Sequence, residues 1–457
     1  MKGLPVVLIP GDGIGPEVSE AVQLVFEAAR VPVEWVVAHA GLGQLEVDPS
    51  GLPHTTLDSV RKHRVALKGP TTTPSGKGHQ SVNVQIRREL GLYANVRPSR
   101  SISALPSRYS NVDLIIVREN IEDTYGGIEY RLSRHHAQGT KLLTHVGATR
   151  AIHYAFELAR RENRKSVTCV HKANIHKFTD GLFLESFETV RANFPEIESR
   201  DILVDNLALQ LVTNPARFDV LVLPNLYGDI VSDLCAGLVG GLGVAPAGNI
   251  GDSVAVFEAV HGSAPDIAGM GIANPTALIL SACMMLKHLG GGSYAKAIEQ
   301  AILSCFEDGE KTRDLGGTLS TFDFAKAISV RLGDVNSDGT ELLLPDFSSL
   351  ELLPKYAIAE SVLHGVEVSV RSPKFPALPS KLAEFELEGV WNRGTRVESD
   401  NATIALSDVY QVRYKIEGKS PASLEPFLNA LSESGVEWVQ IQKLEYLNGI
   451  AAYHESR

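Results

Sequence analysis

Leu4-Pro5-Val6-Val7-Leu8-Ile9-Pro10-Gly11-Asp12-Gly13-Ile14-Gly15-Pro16-Glu17 opens on an apolar run and breaks into glycine, aspartate and proline. Val6 to Ile9 is unbroken by polar residues, as a strand buried on both faces requires. From Pro16 to Ala29, Val18, Val22, Val25 and Phe26 recur at near-helical spacing, and proline suits a first helical turn. A strand, a glycine loop and a helix begin an α/β chain. The loop is not GxGxxG, because its glycines fall at alternate positions, and no Gly-Lys-Ser/Thr follows. Taken alone it is a tight turn.

Outward from that start the alternation continues. Val65–Leu67, Asp113–Val117, Val167–Val170 and Val220–Leu223 read as buried strands, with amphipathic helices at Ala151–Arg160 and Gly181–Arg191. The basic stretch Arg131–Leu142 interrupts them and reads as a hairpin-like excursion or a plain surface loop. Near Gly333-Asp334 the texture changes. Asn336–Gly339 is turn-like, and Pro345, Pro354, Pro373, Pro376 and Pro379 mark a candidate linker. Beyond it Tyr410–Ile416 alternates like a half-buried strand, Leu424–Ser434 is helical and Val436–Ile441 is strand-like, which predicts a small βαβ-type module.

The 457 residues are 44% hydrophobic and 21% charged, an ordinary globular mix that excludes a disordered chain or a coiled coil. A net charge of -11 argues against nucleic acid or an anionic membrane as the main partner. No apolar run reaches the roughly 18 residues of a membrane span. Cys169, Cys235, Cys283 and Cys305 lack CxxC spacing and read as buried small hydrophobes in a reducing compartment. The start of the chain has no small-residue cleavage site, so the expectation is a cytoplasmic protein.

Several side chains carry chemistry. Asp229 and Asp233 stand at i, i+4, on one helix face. Their charges repel unless a cation lies between them, and hard oxygen donors without His or Cys select Mg²⁺ or Mn²⁺. Asp205, after an apolar run, is a third acid. Ser81 and Asn83 can present a hydroxyl and an amide to one carboxylate, and Arg87 follows one turn later. Arg97 and Arg118 flank apolar segments. Three arginines with few acids nearby in sequence suggest a polyanion pocket, since the guanidinium fork matches carboxylates. Lys172, after a buried strand, is a candidate base, and Tyr125 a candidate proton donor. Glu258 to Gly269 (EAVHGSAPDIAG), with Ala273-Asn274-Pro275-Thr276-Ala277, forms a small-residue loop that lets a flat ring approach the backbone; Asp266 there suits ribose hydroxyls and repels a 2′-phosphate.

In order, IPGDGIGPE, KGPTTTP, the Ser81/Asn83/Arg87 stretch, RENIEDTYGGIE, VHKANI, NLYGDIVSD and HGSAPDIAG with ANPTA run from Leu8 to about Leu332. Together they resemble the β-decarboxylating dehydrogenases acting on isocitrate, isopropylmalate, homoisocitrate and tartrate. The resemblance implies an α/β, two-domain isocitrate/isopropylmalate dehydrogenase-like fold, not a Rossmann fold, plus a small C-terminal α+β domain. A large cofactor-binding domain would combine 1–92 with 241–333. A small domain would be 93–240, with a dimer clasp at about 126–146. Residues 334–457 would form an extension domain, for regulation or oligomerisation. Long-form isocitrate dehydrogenases of some bacteria carry such an extension, and Asn392-Arg393-Gly394-Thr395-Arg396-Val397 is similar to theirs.

The resemblance further implies a homodimer with shared active sites and leaves pairing into tetramers open. Lys172 and Asp205 would enter from one subunit; Tyr125, Arg87, Arg97, Arg118, Asp229 and Asp233 from the other. The metal would be Mg²⁺ or Mn²⁺ on Asp205, Asp229 and Asp233. Asn174 would join Ser81, Asn83 and the arginines at a tricarboxylate. A hydroxyl and an amide at 81 and 83 resemble isocitrate enzymes, whereas isopropylmalate enzymes place an apolar residue in that region. Thr72, Thr73, Glu258, His261, Gly262, Ser263, Ala264, Pro265, Asp266, Ile267 and Asn274 would hold NAD. NADP enzymes often carry Lys-Tyr where this chain has Asp266-Ile267 and a further base near Lys326. The implied reaction is metal-dependent oxidative decarboxylation of isocitrate to 2-oxoglutarate and CO₂. The alternatives are homoisocitrate or 3-isopropylmalate as substrate, or a non-catalytic regulatory subunit.

Overall fold

The structure is a computed structural model describing residues 3–73, 80–332, 359–400, 404–416 and 423–455. Contacts divide the chain into two compact units, Met1–Gly126 with Lys141–Pro354, and Gly127–Thr140 with Lys355–Arg457. The turn at 336–339 and the prolines at 345 and 354 lie outside the described residues.

The first unit is built on a ten-stranded mixed sheet. Its strands are β1 (Leu4–Ile9), β2 (Val33–Val37), β3 (Val65–Lys68), β4 (Ala94–Arg100), β5 (Asp113–Glu119), β8 (Ser166–His171), β9 (Glu198–Leu203), β10 (Val220–Leu223), β11 (Pro246–Ile250) and β12 (Ala255–Ala259). The short β6 (Glu129–Arg131) and β7 (Ala137–Gly139) form a separate hairpin in the second unit. The order across the large sheet is β2-β1-β3-β12-β11-β4-β5-β10-β8-β9. The outer blocks are parallel, and β11 and β4 meet them and each other antiparallel.

Strands β3, β8, β10 and β12 are buried along their whole length, β10 with the wholly apolar sequence VLVL that such burial favours. The central antiparallel strands differ. There Asn95 lies opposite Arg118 on one side and Asn249 on the other, and Glu258 lies opposite Ala247. Polar residues enter the middle of a buried sheet only where they satisfy one another, and the candidate site lies at this point.

The helix expected over Pro16–Ala29 spans Gly15–Ala28, with proline in its first turn. The one expected at Ala151–Arg160 is longer, His145–Arg161, because the Thr144 hydroxyl accepts from the Gly147 N–H at 3.1 Å and caps an earlier start. All four cysteines are free and buried, as their spacing suggested. Among the described residues no helix is long and apolar enough to cross a membrane.

In the second unit, β13 (Ser361–Arg371), β14 (Lys381–Leu382), β15 (Phe385–Asn392), β16 (Thr395–Val397), β17 (Val409–Lys415), β18 (Trp438–Leu447) and β19 (Ile450–Ala451) form an antiparallel-paired sheet. Strand β13 pairs antiparallel with both β17 and β18. β17, the helix Glu425–Glu433 and β18 therefore make a βαβ crossover with β13 inserted between its strands. Phe385 and Phe427 join helix and sheet, ring centroids 4.9 Å apart. Pro373, Pro376 and Pro379 are not linker residues: they fall between β13 and β14, where no ladder N–H is lost. The β6–β7 hairpin is the excursion expected over Arg131–Leu142. Arg371 Nη2 donates to the Leu132 carbonyl at 2.6 Å, and the Ser133 hydroxyl donates to Asp408 at 2.8 Å, so this unit holds its tip.

Candidate active site

Five elements converge on a cavity of about 280 Å³ in the first unit. Ser81 precedes the helix Val82–Glu89, whose first turns present Asn83 and Arg87; β4 carries Arg97 and β5 carries Arg118. Tyr125 follows β5, and the helix Asn225–Val239 brings Asp229 and Asp233. Glu258, His261 and Gly262 close the wall from the end of β12. The spacing argument for the two aspartates on one helix face holds.

Charges inside are matched more closely than the sequence suggested. Arg97 lies between the two aspartates, 3.3 Å from Asp229 through Nη2 and 3.3 Å from Asp233 through Nη1. Arg118, 1% exposed, pairs with Asp229, and its guanidinium lies 4.8 Å from the Tyr125 ring centroid. The Tyr125 hydroxyl donates to Asp229. Arg87 pairs with Glu258 at 3.3 Å, and Lys68 Nζ with the same carboxylate at 2.8 Å. The expectation of arginines with few acids around them is thus corrected: each has an acid, supplied by a strand or helix far along the chain.

Those contacts set the titration. Burial pushes the Asp229 carboxyl up, but Arg118 and Arg97 outweigh it and hold Asp229 below the usual carboxylate range. Burial wins at Asp233, which is raised despite Arg97. Burial, with Arg87 and Arg97 nearby, lowers Arg118 to about 9. Tyr125 is raised, first by burial, and keeps its proton more firmly than a free phenol. Burial also opposes ionisation of Glu258, but Lys68 and Arg87 reverse it and hold the carboxylate ionised.

A buried network supports these groups, and most of it left no signal in the sequence. Arg97 Nε donates to Asn95 at 2.7 Å, Asn95 to Asn249 at 2.8 Å, and Asn249 to Glu258 at 2.8 Å. Asn120 also donates to Asn249 at 3.0 Å. Arg97 further donates to the Ser232 hydroxyl at 2.6 Å. Lys68, inside the KGPTTTP stretch, was the one visible hint, as a charge ending an apolar strand.

Other expected residues cluster elsewhere. Lys172 Nζ lies 2.5 Å from Asp205, and neither they nor Asn174 line the cavity. Asp205 is lowered, chiefly by its hydrogen bond from Lys172. The Asn83 amide oxygen accepts from Thr71 at 2.9 Å. The Thr72 and Ser263 hydroxyls are 2.6 Å apart, while the Ile14 N–H donates to the Ser263 carbonyl at 2.9 Å. A Cβ at Gly13 would strike that carbonyl, and Gly13 adopts φ +59°, which explains its glycine. Thr73, next to Thr72 in the chain, is exposed. Ala264, at φ +38°, leads into the turn Pro265–Ile267 that exposes Asp266. Asn274 donates to Asp314 at 2.9 Å and accepts from Thr276. Lys326 lies on the exposed side of the helix Thr321–Arg331.

Known proteins are similar to this chain. A profile described as isocitrate/isopropylmalate dehydrogenase fits residues 5–328. The chain is 52% identical over 326 residues to the Arabidopsis thaliana mitochondrial isocitrate dehydrogenase [NAD] catalytic subunit 5, covering 70% of this chain and 86% of the relative. It is 50% identical over 307 residues to the chloroplastic 3-isopropylmalate dehydrogenase of Solanum tuberosum, covering 66% of this chain and 85% of that one. A crystal structure of the TT0538 protein from Thermus thermophilus superposes with a TM-score of 0.91 at 39% identity, covering 98% of this chain and 95% of that chain. Relatives from Drosophila melanogaster and Macaca fascicularis are mitochondrial as well. The cytoplasmic expectation is thereby corrected, because these relatives are mitochondrial proteins.

Proposed function

The chain belongs to the isocitrate/isopropylmalate dehydrogenase family, and from that premise we propose that it oxidatively decarboxylates isocitrate to 2-oxoglutarate and CO₂ with NAD as acceptor. The observation that carries this reading is the convergence of Ser81, Asn83, Arg87, Arg97 and Arg118 on one cavity beside Asp229 and Asp233. A hydroxyl and an amide there suit a third carboxylate. Burying that carboxylate against an apolar residue would cost on the order of several kcal/mol.

The donors fit a divalent cation in part. Asp229 and Asp233 supply hard oxygens at the cavity, and the Asp233 side chain is 55% exposed there. No group of three or more acidic, His or Cys ligands forms among the described residues, so Asp205 of a second copy is the proposed third ligand. Mg²⁺ or Mn²⁺ bound there would acidify the substrate hydroxyl and stabilise the enolate left by CO₂ loss. The loop Glu258–Ile267, with Thr72, Thr73 and Asn274, is the proposed NAD site. There the buried His261 Nε2 has no hydrogen-bond partner among the described residues, which fits a polar ligand group. NAD supplies hydride acceptance.

In this scheme the three arginines orient the carboxylates, and orientation supplies much of the acceleration. Lys172 takes the hydroxyl proton, and Tyr125 returns a proton to C3. A second copy is needed because Lys172, Asn174 and Asp205 stand outside the cavity of their own chain. The helices Val204–Thr213 and Asn225–Val239 expose Leu209, Val212 and Ile230, apolar surface that such a copy would cover. Within this proposal 1–92 with 241–333 form the cofactor domain and 93–240 the small domain, with 126–146 as the clasp, of which Gly127–Thr140 belongs to the second compact unit.

The test is kcat/KM for isocitrate, homoisocitrate and 3-isopropylmalate on the purified chain, each with NAD and NADP and with Mg²⁺ or Mn²⁺. Isocitrate with NAD should exceed every other pair by at least tenfold. Preference for 3-isopropylmalate would overturn the substrate assignment, and isocitrate binding without turnover would make the chain a regulatory subunit.

A further inference from the structure

Between the two proton-carrying side chains lies a buried ion cluster that the chemistry above does not use. Asp180 is fully buried at the start of the helix Thr179–Arg191. It accepts the Lys172 backbone N–H at 2.7 Å, so it fixes where the Lys172 side chain departs from the end of β8. Asp123, 1% exposed, stands two residues before Tyr125. Its Oδ1 accepts the Thr124 N–H at 2.8 Å and its Oδ2 the Leu226 N–H at 3.0 Å, which ties the Tyr125 loop to the helix bearing Asp229 and Asp233.

Lys141 joins the two. Its Nζ is 2.6 Å from Asp180 and 3.9 Å from Asp123, and 4.3 Å from the centroid of the Tyr227 ring. Asp123 holds φ +66°, a conformation costly for a non-glycine residue and kept only where its surroundings over-determine it. The Asp123 N–H donates to the Leu142 carbonyl at 2.7 Å, so the residue after Lys141 helps to hold it. Two buried carboxylates this close to one ammonium need that ammonium: without it their charges are left uncompensated and the side chains must rearrange.

We propose that Lys141 is a positioning residue which, through Asp123 and Asp180, sets Tyr125 and Lys172 relative to each other. The inference rests on the proton-transfer roles proposed above. Because Tyr125 serves its own cavity and Lys172 would serve a partner's, the same cluster links the two active sites of a dimer. None of its three charged members lines the substrate cavity.

The experiment compares wild type, Lys141→Met, Lys141→Arg and Asp180→Asn as full-length chains, with isocitrate, NAD and Mn²⁺. Lys141→Met is expected to lower kcat at least 30-fold while isocitrate KM moves less than threefold, and Lys141→Arg to recover most of the loss. Asp180→Asn keeps an acceptor for the Lys172 N–H and removes the charge; it should reproduce the kcat-selective loss even if Lys141→Met does not fold. Wild-type kcat in Asp180→Asn, or KM rising in step with the fall in kcat, would overturn the proposal. A wild-type chain that does not turn over isocitrate would instead sink the functional reading beneath it.

Discussion

Lys68 and Glu258 form a buried ion pair across neighbouring parallel strands, Nζ to Oε2 2.8 Å, with side chains 1% and 7% exposed. The same carboxylate takes Arg87 and Asn249, so one acid anchors a cavity-lining arginine and closes a buried network. Removing one partner of such a pair strands the other, at a cost of roughly 3–5 kcal/mol. Glu258→Gln and Lys68→Met should each lower Tm strongly, and the double variant should lose clearly less than their sum. Additive losses in thermal unfolding would show that the pair is not coupled.

How far the sequence foretold this differs by residue. Asp229 and Asp233 were legible because a helix repeats every 3.6 residues and their spacing puts them on one face. The arginine partners were not. Arg87 meets an acid 171 residues away, and Arg97 meets acids 132 and 136 residues away. Strand order decides such pairs, and periodicity carries no strand order. For the same reason the C-terminal βαβ unit was legible but the insertion of β13 between its strands was not. The repulsion between the two aspartates suggests a metal when read from spacing alone, yet Arg97 already answers part of it.

Glu119 gives a pH signature. It is 3% exposed, and burial raises its carboxyl from 4.5 to about 7 although it accepts the Ile121 and Glu122 N–H groups. The folded state therefore holds this proton more tightly than the unfolded chain. Its stability contribution is full below about pH 4.5 and is lost as pH rises through 7, by about 3 kcal/mol. Glu119→Gln keeps an oxygen for both N–H groups and removes the titration. Its Tm should exceed wild type at pH 8, with the gap closing by pH 5. Equal gaps at both pH values would mean that Glu119 does not titrate in this range.

Ser81 immediately precedes the helix Val82–Glu89 and lines the cavity, and among the described residues its side chain makes no capping hydrogen bond. An acid at a helix N-terminus is harmless to folding or slightly favourable. In the cavity the same charge would occupy the arginine field proposed for a substrate carboxylate, as a phosphate on this hydroxyl also would. Ser81→Asp should keep wild-type Tm and raise the isocitrate KM at least 100-fold. Near-normal KM would place the substrate carboxylate elsewhere.

Asp266 stands exposed on the turn Pro265–Ile267, where a carboxylate favours ribose hydroxyls and repels a 2′-phosphate. Replacing repulsion by attraction changes specificity more than adding a contact does, because both terms act on the same difference in binding energy. Asp266→Lys with Ile267→Tyr should move the NADP-to-NAD ratio of kcat/KM upward at least 100-fold, about 2.7 kcal/mol. Lys326, also exposed, should then matter: Lys326→Ala should remove part of the acquired NADP activity and leave NAD turnover unchanged. If the double substitution leaves the ratio where it was, the adenosine ribose does not sit at this turn, and the family's cofactor loop would have to be sought on another part of the β12 wall.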